Sequence, residues 1–129
     1  MNTATKFTVT WSEPKKFQEG NFSGLDFDGV YLVGYRDTRT DKRYVVYVGQ
    51  GNVGIRIADH FRSQAKIKAR LNLPNRIGYY RFARCPDQDS RLDIERGLYC
   101  NHGKTTLCNE IEPCGSGECE QIEVAEVFS

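Results

Sequence analysis

At 129 residues the chain is long enough to bury one apolar core without covalent staples, the size of a single domain. Its 39% hydrophobic and 27% charged residues are those of a soluble globular protein, and no run of about 18 apolar residues offers a transmembrane helix. The formal net charge of +1 conceals an asymmetry: residues 36–84 carry 12 Lys/Arg against three Asp/Glu, a net of +9, and residues 85–129 carry three against ten, a net of −7.

In chain order, Phe7–Trp11 alternates and predicts a short strand, and residues 12–28, punctuated by Pro14, Gly20 and Gly24, predict a loop. Val30–Tyr35 and Tyr44–Val48 are rich in Val and Tyr and predict an antiparallel hairpin around the charged connection Arg36–Arg43. After a Gly-rich turn, Gly49–Gly54, the period changes: Ile57, Ala58, Phe61 and Ala65 have helical spacing, and Asn72–Asn75 ends that helix before its proline. Ile77–Arg84 predicts a third strand. Ser90 is the expected N-cap, with Asp93 three residues on, of a helix from Arg91 to about Asn101, and Gly103 stops it. Glu112–Glu118 predicts a loop and Gln121–Phe128 a weak final strand. The expected fold is α+β, with a small, mostly antiparallel three-stranded central sheet flanked by helices in the order β-β-α-β-α.

The basic block suggests a polyanionic partner; a folded-back acidic tail would equally neutralise it. Arg62, Lys66 and Arg70 recur every four residues on one helix stripe, and Arg56 and His60 are also four apart, one turn apart on one face. An Arg and a His so placed can hold a phosphate and accept a proton, whereas a lone helical His is ordinarily packed or exposed. Glu95 falls between Leu92 and Tyr99 on the apolar-lined stripe of its helix. A solvated face is the usual home of a Glu; on a packed stripe its carboxylate can instead hold a hard cation, with Asn109 in support. Cys85, Cys100, Cys108, Cys114 and Cys119 are odd in number and match no paired C-x2-C spacing, so reduced thiols are expected, with Cys85 and Cys100 in the core. The N-terminus has no basic start followed by an apolar run, so an intracellular, cytoplasmic location is expected. Walker, GxSxG and HExxH motifs are absent.

Gly29-Val30-Tyr31 and Tyr47-Val48-Gly49, followed by Arg56-x-x-x-His60, Glu95 and the Asn of Leu107-Cys108-Asn109, resemble in order and spacing the GIY-YIG nuclease family. The likeness covers about residues 29–109, leaving an N-terminal extension (1–28) and an acidic tail (110–129), and the Arg-x-x-x-His arrangement is closest to that family's restriction endonucleases. The connection between the triplets is longer than in compact members, and Arg56 falls about one residue nearer the second triplet than in many.

The resemblance implies a metal-dependent endonuclease that hydrolyses DNA. Tyr31, Tyr47, Arg56, His60 and Glu95 would be catalytic, with Gly29, Gly49, Lys42 and Asn109 supporting. Glu95 would hold Mg²⁺ or Mn²⁺, Arg56 would clamp a phosphate oxygen, and Tyr47 would position water. Either Tyr31 or His60 would be the general base; with reference pKa values of about 10 and about 6.5, the sequence does not choose between them. Arg43, Arg62, Lys66, Arg70, Arg76, Arg81 and Arg84 would track DNA phosphates. One small domain with one metal site would nick a single strand, and a homodimer or partner protein would be needed to cut both. The alternatives are a non-catalytic nucleic-acid-binding module or a partner-dependent subunit on the same fold, and, from another class, an inhibitor or adaptor whose acidic tail mimics nucleic acid. An intact Tyr/Tyr/Arg/His/Glu set argues against the second, and the +9 block against the third.

Overall fold

The computed structural model describes residues 5–102 and 122–128. Six strands and three helices lie within them: β1 (Thr5–Thr10), β2 (Lys15–Lys16), β3 (Asp28–Asp37), β4 (Arg43–Asn52), α1 (Val53–Ser63), α2 (Ala65–Leu71), β5 (Arg76–Arg84), α3 (Gln88–His102) and β6 (Ile122–Val127). The class is α+β. The expected three-stranded sheet is corrected to a four-stranded antiparallel one, ordered β2-β5-β3-β4, beside a separate parallel pair β1-β6. The added strand is the two-residue β2, pairing Lys15 with Tyr80 and Lys16 with Tyr79 inside the segment expected to be a loop.

β3 is the central strand of the hairpin and of the β3-β5 pair, which is why its middle is fully buried. Alternation divides its side chains between two cores. Val30 and Leu32 join Val48, Ile94, Leu98 and Tyr99 under α3, where β1 and β6 add Val9 and Val124. Tyr31 and Val33 join Val46, Tyr47, Val53, Ile57 and Ile67 under α1 and α2. A register shift after Val33 leaves Val46 as an extra residue in β4, so Val46 and Tyr47 both enter the α1 core.

Local chemistry moves several boundaries. The expected Gly49–Gly54 turn is instead the end of β4 and the start of α1. Asn52 caps α1, its Oδ1 accepting from the Ile55 N–H at 3.1 Å, while Phe27 and Leu25 carbonyls accept from the Val53 and Gly54 N–H groups. The single expected helix breaks at Gln64 (φ −92°, ψ 87°), dividing it into α1 and α2. α3 begins two residues before Ser90, and Asp87, not Ser90, caps it: its Oδ2 accepts from the Ser90 N–H at 3.0 Å and the Ser90 hydroxyl at 2.6 Å. Cys85 is half-buried and free, but Cys100 is exposed and disulfide-bonded, which corrects both the burial and the reduced state expected of it. No helix among the described residues is long and apolar enough to cross a membrane.

Candidate active site

The hairpin register brings the two triplets together. Tyr31 lies opposite Gly49, and Tyr47 lies opposite Val33, so both tyrosines leave the same face two positions apart, their rings stacked at 6.3 Å. A Cβ on Gly49 would strike the Tyr31 hydroxyl, and its ring carbon Cζ lies scarcely farther away. The glycine is therefore the floor across which the Tyr31 ring lies. Gly29 answers to a different neighbour: a Cβ there would strike the Ala83 carbonyl of β5. Gly49→Ala should cost about 1–3 kcal/mol of stability, the usual cost of overpacking, because the Tyr31 ring is enclosed on every side. Chemical denaturation of the purified variant measures it, and an unchanged midpoint would mean that Tyr31 is free to move aside.

α1 faces this floor with Val53, Ile57 and His60 buried and Arg56 at the margin, exposed. His60, 4% exposed, places its Nε2 2.6 Å from the Tyr31 hydroxyl, and the Tyr47 ring packs on the imidazole at 4.4 Å between centroids. The Arg56 guanidinium acts electrostatically on the Tyr31 hydroxyl. The Tyr31 O–H donates to His60 Nε2 when the neutral imidazole carries its proton on Nδ1. Nδ1 itself is buried without a hydrogen-bond partner among the described residues. Glu95, on α3, is 7% exposed and close enough to act electrostatically on both Tyr31 and Arg56.

Burial dominates the ionisation of the cluster. It pushes the Tyr31 hydroxyl far above the ordinary tyrosine range, with Tyr47 adding to the rise and Arg56 opposing it. Burial, then Arg56, push His60 down to about 4. Burial would lower Arg56, but Tyr31, Tyr47 and Glu95 outweigh it, and the guanidinium is held above its usual value. At neutral pH the site therefore holds a neutral phenol hydrogen-bonded to a neutral imidazole, under the field of the Arg56 cation.

Five expected residues converge in this way: Tyr31, Tyr47, Arg56, His60 and Glu95, on the glycine floor. Lys42 does not. It is exposed in the hairpin turn, five strand positions from Tyr47, roughly 16 Å away. Asn109 lies outside the described residues. The basic residues divide. Arg43 and Arg81 lie on the opposite sheet face, both against the Tyr79 ring, and Arg81, 3% exposed, donates to the Ser12 carbonyl and offers no surface to a phosphate. Arg76 is laid over the Tyr35 ring at 4.0 Å and donates to the Arg70 carbonyl at 2.6 Å. The break at Gln64 puts Arg62 on α1 and Lys66 and Arg70 on α2, so the three do not form one helix stripe. Arg62, Lys66 and Arg84 are exposed; Arg62 pairs with Glu19 at 3.4 Å, and Arg84 covers the Phe27 ring at the Gly29 end of β5. Gln50 and Arg91, which tie β4 to α3 beside the cluster, carry no signal in the sequence beyond Arg91 standing one turn before Glu95.

Among the described residues no three metal-ligating side chains converge. A cation here would rest on the Glu95 carboxylate, its own waters and a substrate phosphate. That donor set fits Mg²⁺, which keeps several waters and is commonly held by one or two carboxylates and a phosphate. Comparison of the chain with protein-family models, curated proteins and solved structures returned no match.

Proposed function

We propose that the chain is a metal-dependent endonuclease of the GIY-YIG kind, hydrolysing phosphodiester bonds in DNA. The observation that carries this reading is the buried Tyr31 hydroxyl, 2.6 Å from His60 Nε2 and within the electrostatic reach of Arg56 and Glu95. Three elements distant in sequence contribute to that point: β3 gives Tyr31, α1 gives both Arg56 and His60, and α3 gives Glu95. A core does not need a buried phenol–imidazole pair next to a cation and a carboxylate, and each polar group in it costs desolvation.

Tyr31 has no exposed surface, so an arriving phosphate meets the exposed Arg56 first. Turning the guanidinium onto the phosphate oxygens would both clamp the substrate and open the Tyr31 oxygen to water. The Tyr31 oxygen would then take a proton from the attacking water as its own proton passes to His60 Nε2. A phosphate paired with Arg56 cancels the positive charge that helps depress His60, so substrate binding itself makes the imidazole a better base. Tyr47 holds the imidazole plane in line. Glu95 would hold Mg²⁺ or Mn²⁺, which when bound polarises the phosphate and stabilises the leaving 3′ oxygen. Arg62, Lys66 and Arg84 supply exposed positive charge for backbone contacts, which give salt-dependent affinity without sequence choice. With one such site per chain, nicking is the expected product, and cutting both strands requires a second copy or a partner.

Supercoiled plasmid incubated with the purified chain tests the reading. Conversion to the nicked form is expected in Mg²⁺ or Mn²⁺ and is expected to stop in excess chelator. Undiminished cleavage in chelator, or none in either metal, would sink it.

A further inference from the structure

Arg91 takes no part in the chemistry above, yet it is one of the few buried charges among the described residues, 8% exposed. Its Nη1 donates to the Cys85 carbonyl at 3.0 Å and the Pro86 carbonyl at 2.7 Å. Its Nε donates to Gln50 Oε1 at 3.1 Å, and its Nη1 lies 3.9 Å from Asp28 Oδ2. Gln50 follows Gly49 directly, and Asp28 directly precedes Gly29. One guanidinium on α3 therefore reaches the residue adjoining each Gly/Tyr triplet.

The two carbonyl bonds would suffice to staple the turn before α3. The bond to Gln50 does something else, since it crosses 41 residues of sequence to the end of β4. Arg91 and Glu95 are four apart on one helix face, about 6 Å along the axis. Any slide or rotation of α3 at Arg91 is thus passed on to the Glu95 carboxylate relative to Tyr31 and Arg56. Nη1 and Nε are met together by the planar fork of a guanidinium, which a lysine lacks.

We propose that Arg91 is a positioning residue: through Gln50 it fixes the helix carrying Glu95 against the strand ends carrying both triplets, and so sets the cation site. The inference rests on the nuclease reading. Its test is direct Mn²⁺ binding by the full chain with a cleavage-resistant phosphorothioate duplex that supplies the substrate phosphate, read from the electron paramagnetic resonance signal of free Mn²⁺ after subtracting the uptake of the duplex alone. Wild type is compared with Glu95→Ala, Arg91→Lys, Gln50→Ala and the double variant, each below its own Tm. Glu95→Ala should abolish binding. Arg91→Lys and Gln50→Ala should each weaken it by about tenfold, the low end for residues that orient a metal ligand. The double variant should be no weaker than Arg91→Lys, because both act through one bond. Wild-type Mn²⁺ affinity in Arg91→Lys and Gln50→Ala, whatever their Tm, overturns the inference and leaves Arg91 a staple of its turn. Absence of Glu95-dependent binding in the wild type removes the nuclease reading, and the inference with it. If Arg91→Lys does not fold, the half-buried Gln50 still carries the test.

Discussion

Glu95→Ala should lose about a thousandfold or more of its DNA cleavage while keeping duplex affinity within about threefold of wild type. The size follows from the role: a carboxylate that alone anchors the cation forfeits the several kcal/mol by which that charge stabilises the transition state, and about 4 kcal/mol is a thousandfold in rate. Affinity should survive because the exposed cations lie elsewhere, Arg62 on α1, Lys66 on α2 and Arg84 on β5. Removing a buried acid beside Arg56 also disturbs the cluster, so Glu95→Gln is the companion variant. It keeps the volume and polarity and loses only the charge. Plasmid nicking measures cleavage, and a filter-binding titration at fixed salt measures affinity. Cleavage that persists in both variants would mean that Glu95 is a packed structural acid and that the cation, if used, is held by other groups. Parallel loss of cleavage and affinity would point to unfolding, which the Tm of each variant decides.

The parts of this arrangement that the sequence expresses are those governed by local periodicity. The Val/Tyr runs of β3 and β4, the change to helical spacing after Gly49 and the stripe holding Glu95 are each decided by neighbouring residues, and they emerge where expected to within a few positions. The rest depends on contacts distant in sequence. β2 is only two residues long, and nothing but its pairing with β5 makes it a strand. β1 and β6 pair in parallel across more than a hundred residues, a partnership that neither strand's composition encodes. Asp87 outcompetes Ser90 as the α3 cap because Pro86 ends β5 just before it, and both residue types are good caps. The basic residues depart furthest from what their sequence pattern implies. Arg62, Arg81 and Arg91 look alike in the sequence, yet one is on the surface, one is buried under the far face of the sheet, and one bridges α3 to β4. A guanidinium satisfied by carbonyls and rings leaves no periodic trace, so net charge overstated the surface open to a polyanion.

Tyr31→Phe isolates the step that the sequence left undecided between two bases. If the Tyr31 oxygen receives the water proton and His60 receives the proton of Tyr31, removing the hydroxyl cuts the relay, and cleavage should fall by about a hundredfold to ten-thousandfold. His60→Ala should fall by a similar factor, and the double variant by no more than the worse single one, because the pair acts as a unit. If His60 deprotonated water by itself, Tyr31→Phe would be nearly silent. The acid limb of the pH–rate profile gives an independent reading. His60 must be neutral to accept a proton, and burial with Arg56 holds it neutral down to about pH 4 in the free chain. kcat/KM, which reports the free enzyme, should therefore stay flat as the pH is lowered through 6.5 and fall only near 4, provided the fold persists there. The limb for kcat should lie higher, because a bound phosphate offsets the Arg56 charge and lets His60 protonate more readily. A kcat/KM limb near 6.5 would place the working imidazole in water rather than under Tyr31. It would also mean that the 2.6 Å bond between them is not part of the reaction.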